Sequence, residues 1–205
     1  MDTNAGIQPS RRDRNKSSTR TRLLDAARRL FAEKGVAGTT IDDITDLADL
    51  GRATFFNHFA GKDAVLQALW GEQIAHFAQT VTTQLERPLS TAERLLNVFR
   101  AFEEAAELRP QYLRVVTGEL ERDGQNQSTG RQRIERFHAA LRPLIEAGIA
   151  QGDVRSDRPP GFLTQVVGDA YLSVIRRWRL YPHEHLASHV GLAVEFFAQA
   201  IAPRP

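Results

Sequence analysis

The segment Thr40–Asp63, TIDDITDLADLGRATFFNHFAGKD, leaves the backbone few options. Ile41, Ile44, Leu47 and Ala48 recur at the spacing of a helix with one buried apolar face. Thr40 precedes them as an N-cap, and Asp43, three residues on, is a short-armed partner for a capping box. Asp49-Leu50-Gly51 then interrupts the period. A tight turn between helices needs one residue that accepts a left-handed backbone, which Asp does more readily than most non-glycine residues. Leu50 reads as the apolar plug of that turn. Gly51 reads as the N-cap of a second short helix, about Arg52 to His58. Phe55 and Phe59, four apart, turn to the core, which leaves Arg52, Thr54, Asn57 and His58 outward with Phe56 between them. A longer basic helix, TRTRLLDAARRLFAEKG, precedes the pair. Together they make a helix-turn-helix.

Such a unit suits entry of its second helix into a DNA major groove. Arg forks onto guanine, Asn onto adenine, and the Thr methyl touches thymine. Arg52, Thr54, Asn57 and His58 are therefore the candidates for base edges and adjacent backbone. Thr40, Phe56, Lys62 and the Arg11–Lys16 segment are the candidates for phosphates and sugars. Lys62 opens the next helix, where its charge and the N-terminal amides both favour an anion. Asp42, Asp46 and Asp49 form an acidic stripe, which must point aside if the backbone of DNA is to approach. Net charge is only +2, but it is uneven. Residues 1–22 carry Arg11, Arg12, Arg14, Lys16, Arg20 and Arg22 against Asp2 and Asp13, whereas basic and acidic residues balance over 71–205. The positive field thus lies beside the helix-turn-helix. Residues 1–15 read as a solvated arm that orders on DNA.

The runs LLDAARRLFAEKGVAGTTIDDIT and ATFFNHFAGKDAVL carry a further signal. Residues 19–63 resemble the DNA-binding domain of the tetracycline-repressor (TetR) family without a gap, and the second run is similar to its T-L-Y-x-Y-F-x-x-K-E pattern. The chain departs at four positions. Asp49 stands where a Gly is usual and Gly51 where a Ser is usual; Phe56 replaces a Tyr and Ala60 a common Pro.

The rest of the chain has the helical period and no alternating strand pattern of useful length. The expected class is all-α: a three-helix DNA-binding domain, then a helical ligand-binding and dimerisation bundle. The expected divisions are a basic flexible arm at 1–17, the helix-turn-helix domain at 18–63 and the effector and dimerisation domain at 64–205. Helix 1 is expected over about 18–34, with Leu23, Ala27, Leu30 and Phe31 on its core face. Helix 4 runs from Lys62 toward Leu85, helix 5 follows a Ser90 cap, and helix 6 opens at Pro110. Helix 7 covers about 129–150, helix 8 about 160–180, and helix 9 opens at Pro182.

Helix 8 carries two adjacent apolar rows, Phe162, Val166, Ala170, Val174, Trp178 and Leu163, Val167, Tyr171, Ile175. That is wider than one packing partner requires. Helix 9 adds Leu186, Val190, Ala193, Val194, Phe197 and Ile201. Helices 8 and 9 are read as a homodimer interface, a four-helix bundle between two copies; a monomeric helical core is the plainer alternative. The resemblance implies the same dimer, and with it double-stranded DNA bearing a near-palindromic operator as partner.

Cavities between bundle helices are usual sites for small molecules. Helices 4 to 7 offer Phe77, Val81, Phe99, Phe102, Tyr112, Val116, Phe137, His138 and Leu141, with Tyr171 and Trp178 reaching in from helix 8. They suit an aromatic or lipophilic effector, with Tyr112, His138 and Arg133 as polar handles. The resemblance supplies most of that expectation, and plain core packing accounts for any single ring.

No cofactor and no metal are expected. With no cysteine there is neither a disulfide nor a thiolate site. His185 and His189 have a zinc-compatible spacing, with His183 and Glu184 nearby, yet no third ligand is fixed. GVAGTT and GKD lack the residues of a nucleotide cradle. No apolar run approaches the roughly 20 residues of a membrane span. No signal-peptide core is visible, so cytoplasmic residence is expected. The reading is a ligand-released repressor and not an enzyme. The alternatives are an activator, a regulator controlled by a protein partner, a small-molecule binder with vestigial DNA binding, or a metal enzyme on the histidine cluster.

Overall fold

The computed structural model describes residues 11–123 and 127–204, and residues 1–10 of the expected arm lie outside that range. The described residues form nine helices: α1 (Arg11–Lys34), α2 (Ile41–Leu47), α3 (Arg52–Phe56), α4 (Lys62–Leu85), α5 (Thr91–Leu108), α6 (Pro110–Asp123), α7 (Gln127–Gln151), α8 (Pro160–Leu180) and α9 (Leu186–Ile201). They divide into two compact units, one ending at Leu69 and the other beginning at Trp70.

In the first unit α1 lies across α2, and α2 against α3. Leu23, Ala27, Leu30 and Phe31 from α1 meet Ile44, Ala48, Phe55 and Phe59, with Val65, Leu66 and Leu69 closing the core. Each large side chain fully buried this way contributes about 1.5–3 kcal/mol. The Thr40–Asp43 capping box forms at the start of α2, and Gly35 ends α1 with φ 73°. Two expectations need correcting. Residues 11–17, read as part of an arm, belong to helix α1. Leu47 is 42% exposed, because it follows Asp46 around to the solvent side while Ile44 and Ala48 keep the inward face.

In the second unit α5 packs on α9 and α7, α7 on α8, and α8 on α9; α6 touches α5, α7 and α8. Ser90 and Glu93 form a capping box at the start of α5. Asp153, in the turn after α7, accepts the Thr91 N–H (2.6 Å) and the Thr91 hydroxyl (2.8 Å), tying that turn to the same helix end. Gly152 allows the turn with φ 87°. Helix α9 starts at Leu186 and not at Pro182, because Pro182–Glu184 form a turn and His185 becomes the N-cap. Of the two α8 rows, Leu163, Val167, Tyr171 and Trp178 are buried, whereas Phe162 and Val166 are exposed.

Candidate nucleic-acid interface and effector core

The geometry of the helix-turn-helix follows from its turn. Leu50 N–H donates to Thr45 O (2.9 Å) and Asp49 N–H to Asp46 O (3.0 Å), the paired bonds of a Schellman motif. Asp49 supplies the left-handed residue at φ 51°, and Gly51 starts α3 from an extended conformation. Helix α3 ends at Phe56, two residues before the expected His58. His58 N–H bonds back to Phe55 O (2.9 Å), three residues away, so the last turn tightens. Asn57 is consequently the C-cap and His58 lies in the turn beyond it.

Phe55 and Phe59 are buried while Arg52, Phe56 and Asn57 are exposed and Thr54 is half-buried. Arg52 pairs with Asp42 of α2 at 2.5 Å and lies 5.7 Å from the Phe56 ring centre. Asn57 sits two positions, or about 200° of helical turn, from buried Phe55 and so faces away from the core. His58 is half-buried. Burial and the nearby charges of Lys16 and Arg20 hold its pKa below the ordinary histidine value. Those cations therefore extend the basic field of α1 to the end of α3.

Two expected phosphate contacts have their polar ends engaged inside the protein. The Thr40 hydroxyl accepts the Asp43 N–H (3.0 Å) and donates to the Asp43 carboxylate (2.7 Å). These Thr40 bonds, with Lys34, lower the Asp43 pKa to about 2. Lys62 Nζ donates to Val36 O (2.9 Å) and Thr39 O (2.6 Å), which leaves one of its three donors. The acidic stripe is partly matched: Asp42 by Arg52, Asp49 by Arg22, while Asp46 stays exposed. The Arg22 contact has no signal in the sequence, since 27 residues separate the partners.

In the second unit the expected effector residues form two ring clusters. Phe99 stacks on Tyr171 at 3.8 Å, Phe137 lies 6.3 Å from Tyr171, and Phe77 lies 5.0 Å from Phe137. Phe102 meets Trp178 edge-on at 6.0 Å, with the Arg114 guanidinium 4.3 Å from the Trp178 ring centre. Tyr112, Val116 and Leu141 are buried. His138 Nε2 lies 3.0 Å from Asp169 Oδ1, and its ring presses on Gly168. Sequence reading missed Glu103, one residue past Phe102. Its Oε2 is buried with no hydrogen-bond partner among the described residues. Burial, then Glu107, raises its pKa. A separate cleft of about 260 Å³ lies at the α7–α8 turn, where Arg155 forks onto Asp157 at 2.5 and 2.7 Å, so that its charge is already paired.

The histidine segment is engaged otherwise. Glu184 takes both ends of the Arg177 guanidinium, and His189 lies 3.2 Å from Glu184. Among the described residues no three ligating side chains converge. No described helix is long and apolar enough to cross a membrane.

An all-α chain with a capped helix-turn-helix, polar side chains outward on α3 and a second helical unit is a DNA-binding transcription regulator. Residues 23–69 match the family model for bacterial regulatory proteins of the tetR family. The transcriptional repressor KstR2 of Rhodococcus jostii is 26% identical over 198 residues, covering 82% of this chain and 94% of that protein. The transcriptional repressor DhaR of a Mycobacterium species is 25% identical over 167 residues, covering 80% and 84%. The regulator FadR of Bacillus subtilis, solved with stearoyl-CoA, has the same fold with a TM-score of 0.76 at 16% identity, over 88% of this chain and 98% of its own. Over residues 23–69 the chain thus carries a domain of the tetR-family type, and over most of its length it is similar to transcriptional repressors. Its relatives are regulators rather than enzymes.

Proposed function

We propose that this chain is a homodimeric repressor that reads a near-palindromic operator through α3 and is released by a small, largely apolar ligand. The observation that carries the DNA reading is the division of α3 and its C-cap: Phe55 buried, Arg52, Phe56 and the capping Asn57 exposed, on a helix set by a Schellman turn. Thr54 and His58 complete the base-side set, and Thr40, Phe56 and Lys62 the backbone-side set. The names of KstR2 and DhaR support repression, and the stearoyl-CoA bound to Bacillus FadR supports ligand control.

An exposed apolar face supports the dimer. Phe162 and Val166 on α8, with Leu192 and Phe196 on α9, are 43–69% exposed. α8 and α9 pack together, so two copies joined through them form a four-helix bundle. A two-fold dimer places its α3 helices in half-sites about 34–36 Å apart, or spaced to match.

The effector site is assigned to Phe77, Phe99, Phe102, Tyr112, Val116, Phe137, His138, Leu141, Tyr171 and Trp178. These rings pack on one another in this structure, so a ligand enters by replacing ring–ring contacts. Glu103 and His138 then offer the polar handles. Phe77 lies on α4, the same unbroken helix that begins at Lys62, and a tilt of α4 would carry the coupling. A coupling free energy of about 1–3 kcal/mol changes affinity roughly 5- to 150-fold.

The test is selection of duplexes from a random pool by the purified chain at about 0.15 M salt. One near-palindromic motif is the expected result; no enrichment by folded protein removes the reading. Ligands found by screening must then bind the free dimer more tightly than the DNA-bound dimer, and equal affinities would remove ligand release.

A further inference from the structure

The turn between α2 and α3 stops a helix with an aspartate where glycine carries no steric cost. Asp49 is the one non-glycine residue with positive φ among the described residues. A β-carbon there crowds the following carbonyl oxygen. Where the TetR pattern usually has glycine, this chain needs some other device to hold the turn.

Arg22 of α1 supplies contacts at that place. Its Nη2 donates to Ala48 O (2.5 Å) and Asp49 O (3.0 Å) and lies 3.4 Å from Asp49 Oδ2. The two carbonyls belong to the C-cap of α2, Ala48, and to the residue after it, next to the helix end that leaves its own carbonyls short of partners. The positive charge also sits at the negative end of the α2 dipole. One side chain thus engages the backbone on both sides of the left-handed residue and the carboxylate of that residue itself.

We infer that Arg22 is a positioning residue for sequence readout: it holds the left-handed turn at Asp49 and thereby sets the angle at which α3 presents Arg52, Thr54 and Asn57. The inference rests on the DNA-binding reading above. Helix α3 has only five residues, Arg52–Phe56, and is anchored by Phe55, Phe59 and the turn that precedes it. A loosened turn leaves the two rings in the core but lets the base-facing side chains wander. A glycine at 49 adopts the same conformation unaided. Arg22 and Asp49 are therefore coupled, and the arginine is required because the aspartate is there.

The test measures the dissociation constants of the full-length chain for two duplexes, at several salt concentrations. One duplex is that recovered by the wild type from a random pool; the other is its scrambled sequence. The proteins are wild type, Arg22→Ala, Arg22→Lys, Asp49→Gly and the Arg22→Ala/Asp49→Gly double variant, each checked for helix content and melting temperature. Arg22→Ala is expected to shrink the selected-to-scrambled affinity ratio about tenfold, the size of one misread base pair. Asp49→Gly restores that ratio in the double variant. Arg22→Lys keeps the charge but not the fixed direction of the Nη2 donors, so the ratio falls while the salt slope stays; this variant decides the matter if Arg22→Ala fails to fold.

A different pattern overturns the inference. Equal loss on both duplexes, a salt slope lower by about 0.9 and no rescue by Asp49→Gly would make Arg22 a phosphate contact. A lower melting temperature with the ratio intact would make it a stabilising residue only. If the wild type recovers no duplex at all, the DNA-binding reading falls and takes this one with it, whereas a recovered duplex with an unchanged ratio removes this one alone.

Discussion

Arg52, the first residue of α3, reaches back to Asp42 on α2 and meets its carboxylate at 2.5 Å. Both side chains are more than half exposed, so the pair contributes only about 0–1 kcal/mol to stability. Its effect on binding is larger, because a guanidinium held by a carboxylate must share or leave that partner to fork onto a base. Asp42→Asn is expected to tighten binding to both selected and scrambled duplexes, more at low salt, with little change in melting temperature. Weaker binding of Asp42→Asn to the selected duplex would show instead that the carboxylate orients Arg52 for readout.

Asn57 and Lys62 separate reading from holding. Asn57→Ala is expected to cost about 1–3 kcal/mol at particular operator positions and little elsewhere. The Lys62 ammonium bonds to Val36 and Thr39, so Lys62→Ala loosens the loop between α1 and α2. Losing these bonds lowers stability by about 1–3 kcal/mol. Binding by Lys62→Ala then falls alike on all duplexes. Denaturant titration beside binding isotherms on single-position operator variants checks both outcomes; an Asn57→Ala protein that weakens every duplex equally refutes base readout there.

His58 makes binding sensitive to pH. In the free protein burial, Lys16 and Arg20 hold its pKa below 6.5. Phosphates near that ring favour the charged form and raise the pKa in the complex. The bound state then takes up a proton, so affinity rises as pH falls through the interval between the free and bound values. Isotherms across that interval are expected to show this slope, and His58→Gln to flatten it. A wild-type slope of the opposite sign would place His58 away from the phosphates.

The helices were legible where each end carries its own chemistry. Lys62–Leu85 and Pro160–Leu180 match the periodic pattern, and Thr40–Asp43 forms the capping box its spacing allows. The left-handed Asp49 was legible for the same local reason. What escaped depends on distance along the chain or on competition between local options. The Arg22 clamp joins residues 27 apart, and nothing near either one announces it. The early end of α3 comes from one short bond, His58 to Phe55, that replaces a regular helical bond. Leu47 follows the apolar spacing yet is 42% exposed, because periodicity gives a face and not its width. Glu103 escaped because its burial comes from packing around α5 and not from its own polarity.

The exposed face of α8 and α9 fixes a prediction about assembly. Phe196 is 69% exposed and Leu192 67%. Phe196→Glu is expected to shift the protein from dimer to monomer in sedimentation at micromolar concentration while leaving helix content unchanged. Its binding to a two-half-site duplex should fall far more than to a single half-site. A Phe196→Glu protein that stays dimeric would move the interface to another face.

Gly148 has a consequence for anyone who would retune this protein. A methyl group there would lie 2.2 Å from the Thr91 hydroxyl oxygen and 2.5 Å from a Val154 methyl. Position 148 thus acts as a fixed datum in the second unit, the point against which α7 and the start of α5 are both registered. A directed-evolution library aimed at new inducers does better to exchange the rings of α5 and α8 for others of similar volume. One that randomises position 148 will spend its diversity on proteins whose helices no longer meet, and survivors there should carry a compensating change at Thr91 or Val154.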